Sequence, residues 1–328
     1  MSGNYELRLY DSRLMAFGLA VGENGAYEAK ITDIRDPKGP FPIGMELTGE
    51  GVLKWLGRRT IPKNRAHVHN ILNAMGLSLR DIKGIIDICK GLSLNDSYWV
   101  VPAGFDGKFA DYNLFENRFS EALALTALTG ESLSEGKAKR IRTSPEFTTN
   151  GILPKAWRYD NGKIFLFKGG IWRQYASSPD PLEPYSEYYA AQIADAMGLN
   201  PVKYGLSRWK GVLGSTCALF TDIDTAYVPM SDLVGRHIKG TESKKCYSVC
   251  GDWFKSFDSE HGTDLFDYFA STLVFDSLIL NEDRHLGNFG ILRDSRSGEI
   301  IGSAPIFDIP ERAQGRLYCR GVVQEPCD

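Results

Sequence analysis

The sequence predicts a mixed α/β protein with more than one compact part, and three observations carry this prediction. The chain has 328 residues, which is long for a single domain. Apolar residues alternate with polar ones over residues 5–31, so strands are expected there, with a hairpin turn at Asn24 and Gly25. Later segments carry apolar residues at helical spacing instead, above all residues 264–280.

Composition narrows the classes of function. The formal net charge of −3 argues against a general binder of nucleic acid or of membrane surfaces. The six cysteines show neither a disulfide framework nor zinc-site spacing, which favours reduced thiols in a cytoplasmic protein. The N-terminus has no basic segment followed by an apolar run, so neither a signal peptide nor a transmembrane span is expected. Secretion by a route without a signal peptide stays open.

Three helices are expected after the first strands. The first carries Trp55 and leads into Gly57. The second is predicted to start at an Asn64 cap and to close at Gly76, and the third is predicted to start at a Ser78 cap. We assign these elements, with the strands, to an α/β N-terminal subdomain over residues 1–128. A basic cluster nearby is expected to be a solvated face: Lys54, Arg58, Arg59, Lys63 and Arg65.

The next part is predicted over residues 129–222. Residues 129–146 have few apolar side chains and are the best candidate for a linker. A hairpin is expected around Asp160, Asn161 and Gly162, because an Asn-Gly tip between apolar runs is a strong hairpin signal. A helix should follow from Pro184, and then a second hairpin.

The third part, residues 223–328, is expected to be mainly helical and to deliver one conspicuous loop. Within the segment Asn281 to Gly290, a carboxylate at Asp283 stands five residues before the amide of Asn288. Twenty residues later, Pro305, Ile306 and Phe307 lead to a second carboxylate at Asp308. A phosphoryl-transfer site needs such groups, because one orients the attacking hydroxyl and two hold magnesium on the ATP phosphates.

The order Asp-Arg-His in this loop, followed by Pro-Ile-Phe-Asp, resembles the HipA-like kinases and, more distantly, the phosphoinositide kinases. The resemblance runs from about residue 45 to Asp308. It implies a two-lobed protein-kinase-like fold of the α/β (α+β) class, with a mainly helical C-lobe. Three further segments also resemble HipA-like chains: residues 91–99, 113–117 and 148–151.

The motif suggests a role for each residue. Asp283 is the candidate that orients the acceptor hydroxyl and takes its proton. His285 is a second catalytic candidate that contacts phosphate or stabilises the loop, and the alternative is a buried histidine that only holds the loop. Asn288 and Asp308 are the candidate ligands of Mg²⁺, because hard cations prefer oxygen donors.

A lysine and a glutamate complete the predicted nucleotide site. Lys168 ends the strand after the first hairpin and is the candidate that contacts the ATP phosphates. Glu187 lies on the following helix and is its predicted ion-pair partner. Lys155 and Lys163 are competitors for the role of Lys168, because a shift by one hairpin would exchange them.

Resemblance places a phosphate-covering loop just before the first hairpin, where backbone amides near a glycine can cradle phosphate. Its candidate residues are Thr148, Thr149, Asn150 and Gly151. Ser144, Thr148 and Thr149 are also candidates for autophosphorylation, by the same resemblance. Residues 218–221, with Phe220 and Thr221, are expected to form a hinge that meets adenine through backbone groups.

Two departures from the family pattern stand at the C-terminus. Ile309 and Pro310 follow Asp308, where the family usually continues Asp-Asn-Gly, and proline cannot take the shape that glycine permits. Residues 311–328 show no clear amphipathic period, so the C-lobe is expected to be shortened or altered.

The main hypothesis is an ATP- and Mg²⁺-dependent serine/threonine protein kinase. The resemblance implies a protein substrate such as a translation factor, and either a toxin with an antitoxin partner or an effector acting on host proteins. No direct nucleic-acid partner and no membrane are expected. Two alternatives stay open: a lipid kinase of the phosphoinositide type, and a degenerate kinase that binds nucleotide or a partner without catalysis.

Overall fold

A computed structural model describes residues 3–132, 143–170, 181–235, 237–238 and 243–309. Pro310, the predicted tail over residues 311–328 and residues 133–142 of the predicted linker lie outside the described residues. The chain divides into two compact units. Unit 1 comprises Met1–Leu166, Thr221–Val228 and Leu292–Ile301, and unit 2 comprises Phe167–Phe220, Pro229–Ile291 and Gly302–Asp328. The three predicted parts, with boundaries at 128 and 222, stay a prediction.

An antiparallel sheet opens unit 1, as the alternating pattern predicted. Its strands are β1 (Gly3–Leu9), β2 (Ser12–Val21), β3 (Tyr27–Ile34) and β4 (Tyr98–Pro102), in the order β3-β2-β1-β4. Tyr5, Leu7 and Leu9 of β1 all point into the core, because alternate residues of a strand share one face. The turn between β2 and β3 contains Gly25 at a positive φ of 77°.

Helices cover the core of unit 1. They are α1 (Gly49–Arg58), α2 (Val68–Asn73), α3 (Ile82–Cys89) and α4 (Glu121–Thr129). Two predicted helix starts were wrong. The cap of α3 is Asp81, not Ser78, because the Asp81 carboxylate accepts from the Gly84 amide. Helix α2 begins after His67 rather than at Asn64, and the His67 side chain makes no capping bond.

The chain leaves unit 1 through the predicted hairpin of β5 (Lys155–Asp160) and β6 (Lys163–Gly169). Asn161 and Gly162 both have positive φ, the geometry that an Asn-Gly turn adopts. The expectation of a linker was wrong for residues 144–146. Ser144 caps a short 3₁₀ helix, Pro145–Phe147, and is itself buried with that helix because Phe147 joins the core.

Unit 2 contains the helix and hairpin predicted next, namely α5 (Glu183–Ala196), β7 (Tyr204–Trp209) and β8 (Val212–Ala218). β5, β6, β8 and β7 form one four-stranded sheet in that order. Helices α6 (Met230–Val234), α7 (Ser243–His261) and α8 (Leu265–Leu278) follow, and α8 matches the predicted apolar helix. No helix in the described parts of the chain is both long and apolar enough to cross a membrane.

The mixed α/β class is confirmed, but the expectation of mainly helical structure over residues 223–328 missed three short strands. These are β9 (Thr225–Pro229), β10 (Gly290–Asp294) and β11 (Ile300–Ser303), in the order β11-β10-β9. Each has only four or five residues, too few for an alternating pattern to stand out.

Candidate active site

A buried lysine forms the centre of the candidate site in unit 2. Lys168, at the end of β6, donates to the Glu187 carboxylate on α5 over 2.6 Å and to the Asp308 carboxylate over 2.9 Å. The predicted pair of Lys168 and Glu187 is therefore present in the structure. Of the two competitors, Lys163 is exposed and Lys155 is buried, and both belong to unit 1.

The surroundings keep Lys168 charged. Burial by itself lowers the pKa of the Lys168 ammonium, but the carboxylates of Asp308 and Glu187 outweigh it and hold that pKa well above its usual range. The other oxygen of Glu187 accepts from the Ser215 hydroxyl on β8. The glutamate is thereby fixed on both sides and directs the ammonium toward Asp308.

Asp308 is the open end of this cluster. Its side chain is 38% exposed, against 6% and 4% for Lys168 and Glu187. Its backbone is left-handed, with a φ of +52°, a conformation that aspartate tolerates better than most residues. The carboxylate is thus anchored to a buried cation and still reachable from solvent.

One buried guanidinium organises the loop that follows α8. Arg284 donates twice to the Asp276 carboxylate, each time over 2.9 Å. The same side chain donates to the carbonyl of Asn288 over 2.8 Å and to that of Phe307 over 2.7 Å. Arg284 therefore fixes the backbone of one predicted metal ligand, Asn288, and of the residue before the other, Asp308.

The loop presents its predicted catalytic groups outward. Asp283 and His285 are exposed, so the alternative of a buried histidine is wrong. The Asp283 amide donates to Asn281 over 2.9 Å, and the Asn288 side-chain NH₂ donates to the Asp283 carbonyl over 3.3 Å. Because its nitrogen is used in this way, the side-chain oxygen of Asn288 is the atom that a cation would bind.

The predicted phosphate loop lies in unit 1 and rests on an ionic cluster of its own. Arg65, fully buried, donates to the carbonyl and the carboxylate of Glu146 and, over 3.0 Å, to the Lys155 carbonyl. The expected solvated basic face was therefore wrong for Arg65. It was also wrong for Arg59, which is buried and paired with Asp96.

The hydroxyls of this loop already have partners. Thr148 donates to the Leu92 carbonyl over 3.0 Å, and Thr149 accepts from the Trp157 indole over 2.8 Å. Asn150 is exposed, and Gly151 has a positive φ of 98°. The side chain of Ser144, a predicted phosphorylation site, is buried and caps the 3₁₀ helix.

The two predicted hinge residues, Phe220 and Thr221, make different contacts. Thr221 of unit 1 is buried and donates its hydroxyl to the Leu94 carbonyl. In unit 2, the half-buried ring of Phe220 packs against that of Phe307, with 5.2 Å between centroids. Phe307 directly precedes Asp308, so this ring pair lies next to the open end of the lysine cluster.

Comparison with known proteins finds a kinase that is similar over part of the sequence. The curated serine/threonine-protein kinase CtkA of Helicobacter pylori is 33% identical over 127 residues, 38% of this chain and 38% of CtkA. The chain thus matches well under half of that relative. The HipA structure of Shewanella oneidensis, solved with HipB and operator DNA, covers 93% of this chain and 75% of its own, with a TM-score of 0.57 and 13% identity.

Part of the sequence is therefore similar to that of a serine/threonine-protein kinase, and the fold is similar to that of HipA. The crystal structure of the H. pylori proinflammatory kinase CtkA matches 47% of this chain and 54% of its own, with 28% identity and a TM-score of 0.38. No protein-family model matches the sequence.

Three residues that contact the candidate site residues are not singled out by the sequence motifs: Asp276, Tyr204 and Ser215. The sequence does contain a sign of the role of Asp276, because an acidic residue near the end of an apolar helix requires a partner when it is buried. Tyr204 and Ser215 had none, because their contacts join distant parts of the chain.

Proposed function

We propose that this chain is an ATP- and Mg²⁺-dependent serine/threonine protein kinase of the HipA-like type. The observation that carries the proposal is the double bonding of Lys168 to Glu187 and Asp308. A buried lysine oriented by a helix glutamate, beside a partly exposed carboxylate, is the arrangement by which kinases hold ATP phosphates and their metal. The loop with Asp283 and Asn288 belongs to the same unit.

The donor set fits magnesium. Asn288 and Asp308 offer oxygen, the atom that this hard cation prefers, and Arg284 fixes the backbone around both. Among the described residues no three His, Cys, Asp or Glu side chains form a metal-binding group. That suits Mg²⁺, which is usually held by one or two carboxylates and completes its shell with water and substrate phosphates.

The proposed roles follow from charge and exposure. Bound Mg-ATP would supply the transferable phosphoryl group and part of the charge that neutralises it. Lys168 keeps its proton and offers a positive charge to the phosphates. Asp283, exposed on its loop, orients the acceptor hydroxyl and accepts its proton as the new oxygen–phosphorus bond forms and ADP leaves. His285, beside it on the surface, is a second contact for phosphate.

Residues 148–151 and 220–221 are proposed to meet the nucleotide through backbone groups. The hydroxyls of Thr148, Thr149 and Thr221 already bond within unit 1, so their side chains are poor candidates for contacts with phosphate or adenine. Backbone amides near Gly151 and the exposed Asn150 remain as the contacts in the phosphate loop.

The biological role is proposed from the relatives. A toxin-type kinase would act on a soluble protein such as a translation factor, phosphorylate itself and be restrained by an antitoxin, as the complex of HipA with HipB suggests. An effector role is the other version, because CtkA is described as a proinflammatory kinase. Both versions place the working protein in a cytoplasm, and neither needs direct contact with nucleic acid.

Intact mass spectrometry after incubation with Mg-ATP tests the proposal, with Asp283→Ala as the matched variant. We expect the unmodified chain, but not the variant, to gain phosphate. Stabilisation of the fold by Mg-ATP without any transfer would support the degenerate, binding-only alternative. If the chain shows no phosphate transfer and is not stabilised by Mg-ATP, the kinase proposal is contradicted.

A further inference from the structure

Tyr204, the first residue of β7, contacts both charged partners of the open cluster. It is buried, and the Lys168 ammonium lies over its ring, 5.6 Å from the ring centroid, within the range of a cation–π interaction. Its hydroxyl accepts a hydrogen bond from the Asp308 amide over 3.3 Å. The sequence motifs and the proposed roles give this side chain no function.

The contact between Tyr204 and Asp308 comes directly after a short pairing between the same two segments of the chain. Just upstream, residues 200–202 pair with Ile306. The Ile306 amide donates to the Asn200 carbonyl over 2.8 Å, and the Val202 amide donates to the Ile306 carbonyl over 2.9 Å. Two residues later the chain turns left-handed at Asp308. At this turn the Tyr204 hydroxyl continues the same series of contacts by accepting from the Asp308 amide.

The left-handed turn gives this contact its importance. A left-handed backbone is unfavourable for an L-residue, so surrounding contacts have to hold it in place. The direction of the Asp308 carboxylate depends on that backbone. A small rotation at Asp308 would move the carboxylate away from Lys168 and from any metal it binds.

We propose that Tyr204 is a positioning residue for phosphoryl transfer: its hydroxyl fixes the backbone of Asp308, and its ring fixes the ammonium of Lys168. The inference rests on the proposed function and adds a residue to it. A phenylalanine would preserve the contact with Lys168 but not the one with Asp308. The two contacts can therefore be tested separately.

The experiment measures phosphate incorporation at increasing Mg²⁺ in the unmodified chain and in Tyr204→Phe. Losing one hydrogen bond is expected to raise the half-saturating Mg²⁺ concentration and to lower kcat, each by about threefold to tenfold. KM for ATP at saturating Mg²⁺ should change by less than about twofold, because the ring still contacts Lys168. Tyr204→Leu removes both contacts and should raise KM for ATP as well.

Tyr189→Phe is the matched control, because Tyr189 is 54% exposed on α5 and its ring contacts Tyr188. This control should behave as the unmodified chain does. If Tyr204→Phe leaves both the Mg²⁺ dependence and kcat unchanged, the inference about Tyr204 is overturned while the proposed function stands. A loss of activity that follows a lowered unfolding temperature without any change in Mg²⁺ dependence would overturn it as well. Inactivity of the unmodified chain would overturn the proposed function, and the inference with it, before any variant is compared.

Discussion

Two buried ionic clusters of this chain look alike in composition and differ in how they meet solvent. In unit 1, Arg65 and Glu146 form a sealed cluster whose side chains are both 0% exposed. In unit 2, Lys168 and Glu187 are nearly as buried, but their partner Asp308 is 38% exposed. A buried pair of opposite charges therefore occurs both in the sealed cluster and in the candidate active site.

The sealed cluster disfavours the charged form of its carboxyl group, whereas the open cluster favours the charged form of its lysine. Burial raises the pKa of Glu146 above its usual range, although Arg65 and the Trp157 amide oppose the shift. In the open cluster two carboxylates outweigh burial and keep Lys168 charged. The two clusters therefore differ in that only the open one has a member, Asp308, that a ligand could reach from solvent. The sealed cluster holds the backbone on both sides of the predicted phosphate loop instead.

The largest expected effect concerns stability and comes from the sealed cluster. Arg65→Met leaves the Glu146 carboxylate buried without its cation, which should lower the free energy of unfolding by about 3–5 kcal/mol. Urea unfolding near neutral pH measures the change. The loss should shrink as the pH falls toward about 4, because a protonated Glu146 no longer needs the cation.

Two controls sharpen this prediction. Arg80→Met replaces an exposed arginine and should change the free energy of unfolding by less than about 0.5 kcal/mol. The double variant Arg65→Met with Glu146→Leu should recover most of the stability, because an apolar pair can replace a buried ionic one. A loss below about 1 kcal/mol in Arg65→Met would show that the cluster is not sealed in solution.

The next effect concerns activity and comes from the open cluster. Asp308→Asn should lower the initial rate of phosphate transfer by about 100-fold or more, since it removes a charge that the transition state uses. Its unfolding temperature should change little, because the side chain is partly exposed. The matched control is Asp224→Asn, which breaks an exposed pair with Arg296 in unit 1. Equal losses of rate in both variants would remove the distinction between the clusters.

A smaller effect is expected from the loop of Asp283. The Tyr247 hydroxyl on α7 donates to the Arg284 carbonyl, between the two predicted catalytic residues. Tyr247→Phe should lower kcat by about threefold to tenfold, as loss of one hydrogen bond implies. Steady-state kinetics at several Mg²⁺ concentrations should show an unchanged Mg²⁺ dependence. A shifted Mg²⁺ dependence would mean that this loop and the Asp308 backbone respond as one element.

The smallest effect is a dependence of stability on pH near the sealed cluster. Burial lowers the pKa of His67, and the Arg65 charge adds to the shift. The folded state thus resists a proton that the unfolded chain takes up below about pH 6.5. Stability should therefore fall as the pH drops through that value toward the lower folded pKa. His67→Gln should flatten this part of the profile in urea unfolding, whereas His69→Gln, at an exposed position, should not.

The features that sequence predicted are local ones. The tip at Asn161 and Gly162 and the loop with Asp283 and Asn288 each lie within about ten residues, so spacing and turn chemistry reveal them. The pairing of Lys168 with Glu187 spans 19 residues and followed from the order of strand and helix.

What sequence could not give are contacts between distant segments. Arg65 meets Glu146 across 81 residues, and Tyr204 meets Asp308 across 104. No periodicity connects such positions, so the sequence predicts a solvated face for Arg65 and gives no role to Tyr204. Asp81 replaced Ser78 as a helix cap for a different reason. Both residue types are good caps, and only the path of the backbone decides between them.

The most direct test of the central claim is the mass of the intact chain after incubation with Mg-ATP and a soluble protein acceptor, measured beside Asp308→Asn. The account predicts that phosphate appears on the unmodified chain or on the acceptor, and that the folded Asp308→Asn variant transfers almost none. Transfer at an equal rate by both proteins would contradict the claim that the open carboxylate makes the Lys168 cluster a phosphoryl-transfer site.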